Sequence, residues 1–453
     1  MIGAKAGPDN TFAVAKPIWI IHGKRCPFVR NDTAGFGREV VSRSNFLRAS
    51  PFDQLSSRCR KVDFGQSSRR RQQRIGPMRI VLTRREGLDS ADGVSIFIVS
   101  LAQALVELGH DVKVVIGCLE SRAEYKRLLS PRIDLPVIAL SSRPLAGVAS
   151  FAAWLRGKRL IDRFNPDLVI HSEAVPIPLR GTIVQAVHDL QPRDSRLAPV
   201  WRSIRRVSLR QCDHVVATTT ELRNALVQDL GRPPSAFVLI PKCIDRSLYH
   251  GRDLETRERA ILHAGTLAYK DPAASIRAFG VLNDPSVRLY VTGAVTGAVQ
   301  LAVAALPQRL RDSVRLLGEA DGATVRTLHG QVRVASFPTR YAIPVASATV
   351  MEAIAAGTPI VGSATLSRDI LVDGGNGLVV DSQPEAMAAA FRDLLDQDEL
   401  WLQRSAYASR LIEHFDAFRV AEQYLGLLSV EPRWVAASGP RYVDPDSAHL
   451  ASK

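Results

Sequence analysis

The chain is poor in cysteine, with five in 453 residues, at Cys26, Cys59, Cys118, Cys212 and Cys243. An odd number at such wide spacing excludes a disulfide framework, and no CxxC pair offers a zinc site. A reducing compartment, the cytoplasm, is the expectation. Also missing is any apolar run of 18 or more residues. The longest candidate, Val291–Leu306, is broken by Gly, Thr and Gln, so no membrane-spanning helix is expected. The ten histidines are scattered without HExxH spacing. No Ser-His-Asp set or carboxylate pair stands out either. Protease-like metal chemistry and side-chain nucleophiles therefore find no support, and no metal dependence is expected.

Charge of one sign is plentiful, but unevenly placed. The formal net charge is +14, and residues 1–77 hold 15 Lys and Arg against five Asp and Glu. Ten of the fourteen excess charges thus lie in that segment, and residues 78–453 carry only four. A nucleic-acid partner inferred from the pI of 9.9 would rest on the tail, and none is expected. Residues 1–77 show no sustained period and include the run QSSRRRQQR from Gln66 to Arg74. They read as a disordered basic extension, processed or lying upstream of a natural start at Met78. A targeting segment or an arm for anionic lipid is the other reading, which loss of folding or activity on truncation to Met78 would favour.

From Met78 onward, strand-like and helix-like segments alternate. Met78–Thr83 reads as a strand and Asp89–Gly93 as a turn. Val94, Phe97, Leu101, Leu105 and Leu108 then make one helical face, stopped at Gly109-His110 before the strand Val112–Ile116. The pattern continues through Phe151–Phe164 (helix), Asp167–His171 and Thr182–His188 (strands), Trp201–Arg210 (helix), Val215–Thr218 (strand) and Glu221–Gly231 (helix). Val238 to Pro241 closes a first domain, 78–245. The polar stretch Asp245–Arg259 reads as a linker, with 246–259 between the domains. A second domain, 260–430, repeats the alternation, and 431–453 reads as a disordered tail. Such alternation predicts an α/β architecture of two doubly wound parallel sheets facing a central cleft.

The stretch Tyr341–Val380 carries the chemistry. After the strand Val332–Phe337, small residues Ala346, Ser347, Ala348 and Thr349 open a helix that carries Glu352 and stops at Gly357 before the strand Ile360-Val361. Small residues at a helix start let a phosphate approach the backbone N–H groups at the positive end of the dipole. A carboxylate one turn on can accept from ribose hydroxyls.

MEAIAAGTPIVGS followed by VDGGNGLVV resembles the nucleotide-sugar half of the group 1 glycosyltransferases (glycosyltransferase family 4), retaining enzymes of the GT-B fold. The resemblance runs from Met78 to about Val430. It implies transfer of a sugar from a nucleotide-diphosphate donor to a glycan or lipid-linked acceptor, with the nucleotide sugar as co-substrate and no further cofactor. By match to the family, Gly93 faces the donor diphosphate across the cleft, and Lys270, in the loop with Gly265 and Thr266, binds it. Glu352 serves the ribose, and His188 stands near donor sugar and acceptor. The residues alone leave alternatives: Gly93 as a tight turn, Lys270 as a solvated loop lysine, Glu352 as a helix-capping residue, His188 as a hydrogen-bonded structural histidine.

Five departures from the family pattern are visible, one of them Val345-Ala346-Ser347 in place of the customary Pro-Phe-Gly. Thr266 stands where an arginine is usual, and Pro344 where the first of two paired glutamates belongs. Thr365-Leu366 replaces Gly-Gly, and Lys242-Cys243 replaces Asn-Gly after Pro241. These departures keep alternatives open: a degenerate GT-B protein that binds a nucleotide or partner without turnover, or a GT-B epimerase or phosphorylase. Arg202, Arg205, Arg206 and Arg210, with Trp201 and Ile204, read either as a solvated helix face or as a peripheral contact with the inner face of a membrane.

Overall fold

A computed structural model describes residues 76–434, apart from 86, 89–91, 119–136, 142–146, 176, 190–197, 341–346 and 433. The readings of the basic extension (its last two residues apart), of Pro344 and of residues 435–453 lie outside the described residues.

Two runs of β-branched and aliphatic residues build two sheets, both wholly parallel. In the first lobe the strands are β1 (Arg79–Arg84), β2 (Asp111–Ile116), β3 (Val137–Ala139), β4 (Leu168–His171), β5 (Thr182–Val187), β6 (His214–Ala217) and β7 (Phe237–Leu239). They lie in the order 3-2-1-4-5-6-7, with Ile80 opposite both Val112 and Leu168. In the second lobe β8 (Glu258–Ala264), β9 (Arg288–Thr292), β10 (Val314–Gly318), β11 (Val332–Phe337), β12 (Ile360–Ser363) and β13 (Gly377–Val380) lie in the order 10-9-8-11-12-13. The inner strands are apolar on both faces, because helices cover each side of a parallel sheet. Chain order reverses beside β1 in one lobe and β8 in the other. At such a switch point the flanking loops part and leave a crevice at the carboxyl edge.

The first lobe's helices are α1 (Gly93–Glu107), α2 (Gly147–Phe164), α3 (Ala198–Leu209) and α4 (Thr220–Leu230). The second sheet is flanked by α5 (Pro272–Leu282), α6 (Gly297–Ala304), α7 (Gln308–Arg311), α8 (Gly322–Gln331), α9 (Ala348–Ala355), α10 (Pro384–Asp396) and α11 (Asp398–Leu411). A last helix, α12 (Ala417–Gly426), behaves differently. Its Val420, Ala421 and Tyr424 are buried with Phe97, Leu101 and Leu105 of α1, in the core of the first lobe. The sequence groups this helix with the second domain, since periodicity reports which face is apolar and not which core receives it. Among the described residues no helix is long and apolar enough to cross a membrane.

The linker also differs from its reading. Strand β8 begins at Glu258, inside the stretch taken as connecting chain. The Arg257 guanidinium is buried and donates to the carbonyls of His329, Val332 and Ala356 and to the Thr358 hydroxyl, at 2.6–3.1 Å. Trp434, placed in the tail by its sequence position, packs on Phe237 at 5.5 Å between ring centroids and is buried in the first lobe.

Candidate active site

The two carboxyl edges face each other across a cavity of ≈ 330 Å³. Gly93, Val94, His188, Asp189 and Lys242 line it from the first lobe; Lys270, Thr339, Ser347, Ala348 and Thr349 line it from the second. Its size falls within the range of small-ligand sites.

Each wall has a local cause. Asp92 precedes α1 and caps it, accepting from the Val94 N–H at 3.1 Å, so Gly93 enters the cleft at the first turn. A Cβ built on Gly93 would come within 2.9 Å of the Ala348 Cβ, so glycine lets the starts of α1 and α9 meet across the lobes. Helix α9 has no side-chain cap. The Ser347 hydroxyl lies 3.0 Å from that of Thr349, and the first N–H groups of the helix have no side-chain capping acceptor among the described residues. Gly357, at φ +64°, ends α9 in the left-handed conformation that glycine adopts at no steric cost.

Lys270 follows the turn at Gly265, whose φ of +91° again favours glycine. A Cβ there would sit 2.6 Å from the Lys270 Nζ. The ammonium instead donates to the Ala264 carbonyl at 3.1 Å and to the Thr349 hydroxyl at 3.4 Å, which aims it at the start of α9. Burial pulls its pKa down to about 8, with the Glu352 carboxylate opposing that shift. Glu352 itself lies beneath the cavity wall, buried, and accepts from the Tyr249 hydroxyl at 3.1 Å. Burial raises its pKa to about 7, against the pull of that hydrogen bond and of Arg326 and Lys270.

His188 directly follows β5 at the mouth of the first lobe. It is buried, 4.6 Å edge-on from the Phe97 ring, and neither ring nitrogen has a hydrogen-bond partner among the described residues. Burial, then Lys242 and Arg84, hold its pKa well below the ordinary imidazole value, so the ring is neutral near pH 7. His188, Asp189, Asp92 and Val94 also border a second cavity of ≈ 230 Å³, cut wholly into the first lobe beside Arg84, Glu173, Gln185 and Arg205.

The structure therefore brings Gly93, His188, Lys270, Ser347, Ala348 and Thr349 together on one cavity. Gly265 shapes the Lys270 loop behind the wall. Thr266 turns away, its hydroxyl donating to the Ala294 carbonyl at 2.7 Å. Two residues of the site were missed. Tyr249 sits in a stretch without periodicity, and Lys242 showed only as a departure after Pro241. On α3 and just past its end, Arg202, Arg206 and Arg210 are exposed, while Arg205 turns inward and pairs with Asp229 at 3.3 Å. Among the described residues no three His, Cys, Asp or Glu side chains cluster as metal ligands would.

This architecture, with a ligand-sized crevice between facing sheets, is that of the GT-B glycosyltransferases. Residues 91–248 match Glycosyltransferase Family 4 and residues 258–397 match Glycosyl transferases group 1, and the chain belongs to that family. Among solved structures it is similar to HepE of Anabaena in complex with UDP and glucose, at 17% identity and a TM-score of 0.60, covering 78% of this chain and 99% of that one. A glycosyltransferase of Rickettsia africae gives 15% identity and a TM-score of 0.61, over 78% and 98% of the two chains. Sucrose-phosphate synthase of Thermosynechococcus elongatus gives 18% identity and a TM-score of 0.57, over 80% and 100%. A comparison with curated protein sequences gave no match.

Proposed function

We propose that the protein is a cytoplasmic retaining glycosyltransferase that moves a sugar from a nucleotide diphosphate to a hydroxyl of a glycan or lipid-linked acceptor. The observation that carries this reading is the convergence of Lys270, the uncapped start of α9 and His188 on one cavity between the lobes. A diphosphate leaving group gathers negative charge as its bond to the sugar breaks. An ammonium and helix N–H groups fixed beforehand stabilise that charge without reorganising.

The donor occupies the larger cavity and the acceptor the smaller, with His188 on the wall common to both. The acceptor oxygen attacks the anomeric carbon on the face the diphosphate leaves. The C–O bond to the phosphate breaks, the new glycosidic bond forms, and the acceptor's proton passes to a phosphate oxygen. Configuration is retained and no side-chain nucleophile is needed. The neutral His188 ring, with both nitrogens available, positions the sugar and acceptor hydroxyls. Lys270 and the helix amides take the part that a divalent ion plays elsewhere, so turnover in EDTA is expected to persist. Glu352 acts from below the wall, toward the ribose and on the charge of Lys270.

HepE was solved with UDP, so UDP sugars head the donor panel, followed by GDP, TDP and ADP sugars. A donor at a hundred times its Kd raises stability by about 2.7 kcal/mol. The test is thermal shift across the panel, followed by nucleotide release with candidate acceptors. Binding without release on any donor would favour a degenerate binding protein, the reading that the turned-away Thr266 keeps in play. No shift with any donor would overturn the proposal.

A further inference from the structure

We infer that Lys242, the residue after Pro241 at the end of the first sheet, is the second cation on the donor's diphosphate, gripping from the first lobe what Lys270 grips from the second. The inference rests on the nucleotide-sugar reading and assigns a role to a residue that its motifs pass over.

Lys242 is 6% exposed, yet lines the larger cavity together with Lys270 and Ser347. No hydrogen bond or ion pair to its ammonium occurs among the described residues. Burial lowers its pKa, Asp189 and Asp92 on the same wall oppose that shift, and Arg84 adds to it. None of the three closes on it: Asp92 is committed to Arg84 and to the cap of α1, and among the described residues no carboxylate comes within ion-pairing distance. An ammonium withdrawn from water without a partner is costly, and a cavity that holds one is suited to an anion. His188 on the same wall also has no partner for either nitrogen. Two unpartnered polar side chains thus face one space.

Thr266 sharpens the case. The side chain after the Gly265 turn carries no charge here, and its hydroxyl is spent on the Ala294 carbonyl. The second lobe contributes Lys270 as the cation on this wall of the cavity, against a diphosphate whose charge exceeds one unit. Lys242 supplies the balance from the opposite side. The consequence is mechanical as well as electrostatic, since a diphosphate held by one ammonium from each lobe ties the lobes together and its departure releases them.

The test is calorimetric titration of the full chain, and of Lys242→Met and Lys242→Arg, with UDP, GDP, uridine and inorganic pyrophosphate. Lys242→Met is expected to weaken diphosphate binding about ten- to a hundredfold, the loss of one charge-assisted contact, and to leave uridine binding unchanged. Lys242→Arg is expected to restore most of the loss. The unliganded melting temperature of Lys242→Met should hold or rise, because an unpartnered buried charge has gone; a fall, with diphosphate binding intact, would mark a merely structural lysine and overturn the inference. Equal diphosphate affinity in wild type and Lys242→Met would overturn it while leaving the glycosyltransferase reading in place. Pyrophosphate binding that depends on Lys242, with no nucleotide bound, would support the anion site and count against that reading. If the wild type binds none of the diphosphates, both fall.

Discussion

Ser367 of the second lobe donates its hydroxyl to the Glu221 carboxylate of the first at 2.6 Å, and the other Glu221 oxygen accepts from the Arg368 N–H at 3.1 Å. Beside them Asp369 accepts from the Thr220 N–H at 2.6 Å. The start of α4 and the loop after β12 are thus stitched together at the rim of the cleft. Each such bond contributes about 1 kcal/mol net, more where a carboxylate accepts. Glu221→Ala is therefore expected to loosen the closed arrangement and weaken donor binding about tenfold. Small-angle scattering should show a larger radius of gyration, with the melting temperature little changed. An unaltered scattering profile would show that the contact does not hold the lobes.

Gly93→Ala tests the approach of α1 to α9. The added methyl would lie 2.9 Å from the Ala348 Cβ, closer than two carbons pack, and neither group can rotate away. The lobes must part by a few tenths of an ångström at the diphosphate position. Misplacement on that scale is expected to lower kcat/KM by at least about tenfold while the fold survives, as circular dichroism and melting would report. Full activity in this variant would mean that the two helix starts do not frame the donor.

Lys270 makes donor binding pH-dependent. With its pKa drawn down to about 8 by burial, the ammonium loses its proton as pH rises through that value. A bound diphosphate favours the charged form, so binding near pH 8 should take up protons and affinity should fall between about pH 7 and 9. For folding the sign is opposite. The unfolded chain holds this proton to higher pH, so the depressed pKa costs stability below about pH 8, and the cost fades as pH rises toward the ordinary lysine value. Calorimetry in buffers of different ionisation enthalpy measures the uptake, and its absence would remove Lys270 from the diphosphate.

Arg257 is a stability prediction. Its guanidinium meets the carbonyls of Ala356, His329 and Val332, and stacks on Trp401 at 4.9 Å from the ring centroid. Arg257→Ala leaves those buried acceptors unpaired and removes the partner that closes the carboxyl end of α9. A loss of about 3–5 kcal/mol is expected in urea unfolding, on the scale of breaking a buried charged network. A loss below about 1 kcal/mol would mean that water replaces the guanidinium at no cost.

Much of this was legible in the chain. Strand Val332–Phe337 falls on the residues its apolar run defines, and Gly357 ends α9 where a glycine stop would put it. The elements of both sheets declare themselves because parallel strands are apolar on both faces and the helices between them are not. What stayed hidden depends on through-space partners. Arg257 and Tyr249 sit in a polar stretch without period, and only the fold reveals that one closes α9 and the other holds Glu352. Glu352 itself was placed on the right helix, but its burial beneath the cavity wall depends on side chains more than a hundred positions away in the sequence. The inward turn of Arg205 was equally silent, since on an arginine-rich helix every position carries the same charge.

Helix α12 has a consequence for how this polypeptide can be divided. The main chain passes from one lobe to the other near Ile244 and returns near Asp416. There the two passages lie side by side, the Ile244 N–H bonded to the Phe415 carbonyl at 2.9 Å and Arg246 paired with Asp416 at 3.0 Å. Severing the molecule at the first passage would strip the amino-terminal half of the Val420 and Tyr424 side chains that plug its interior, leaving an oily trench along α1. The amino-terminal half is not a self-sufficient module without α12, and a fragment that contains it should be designed with both passages intact.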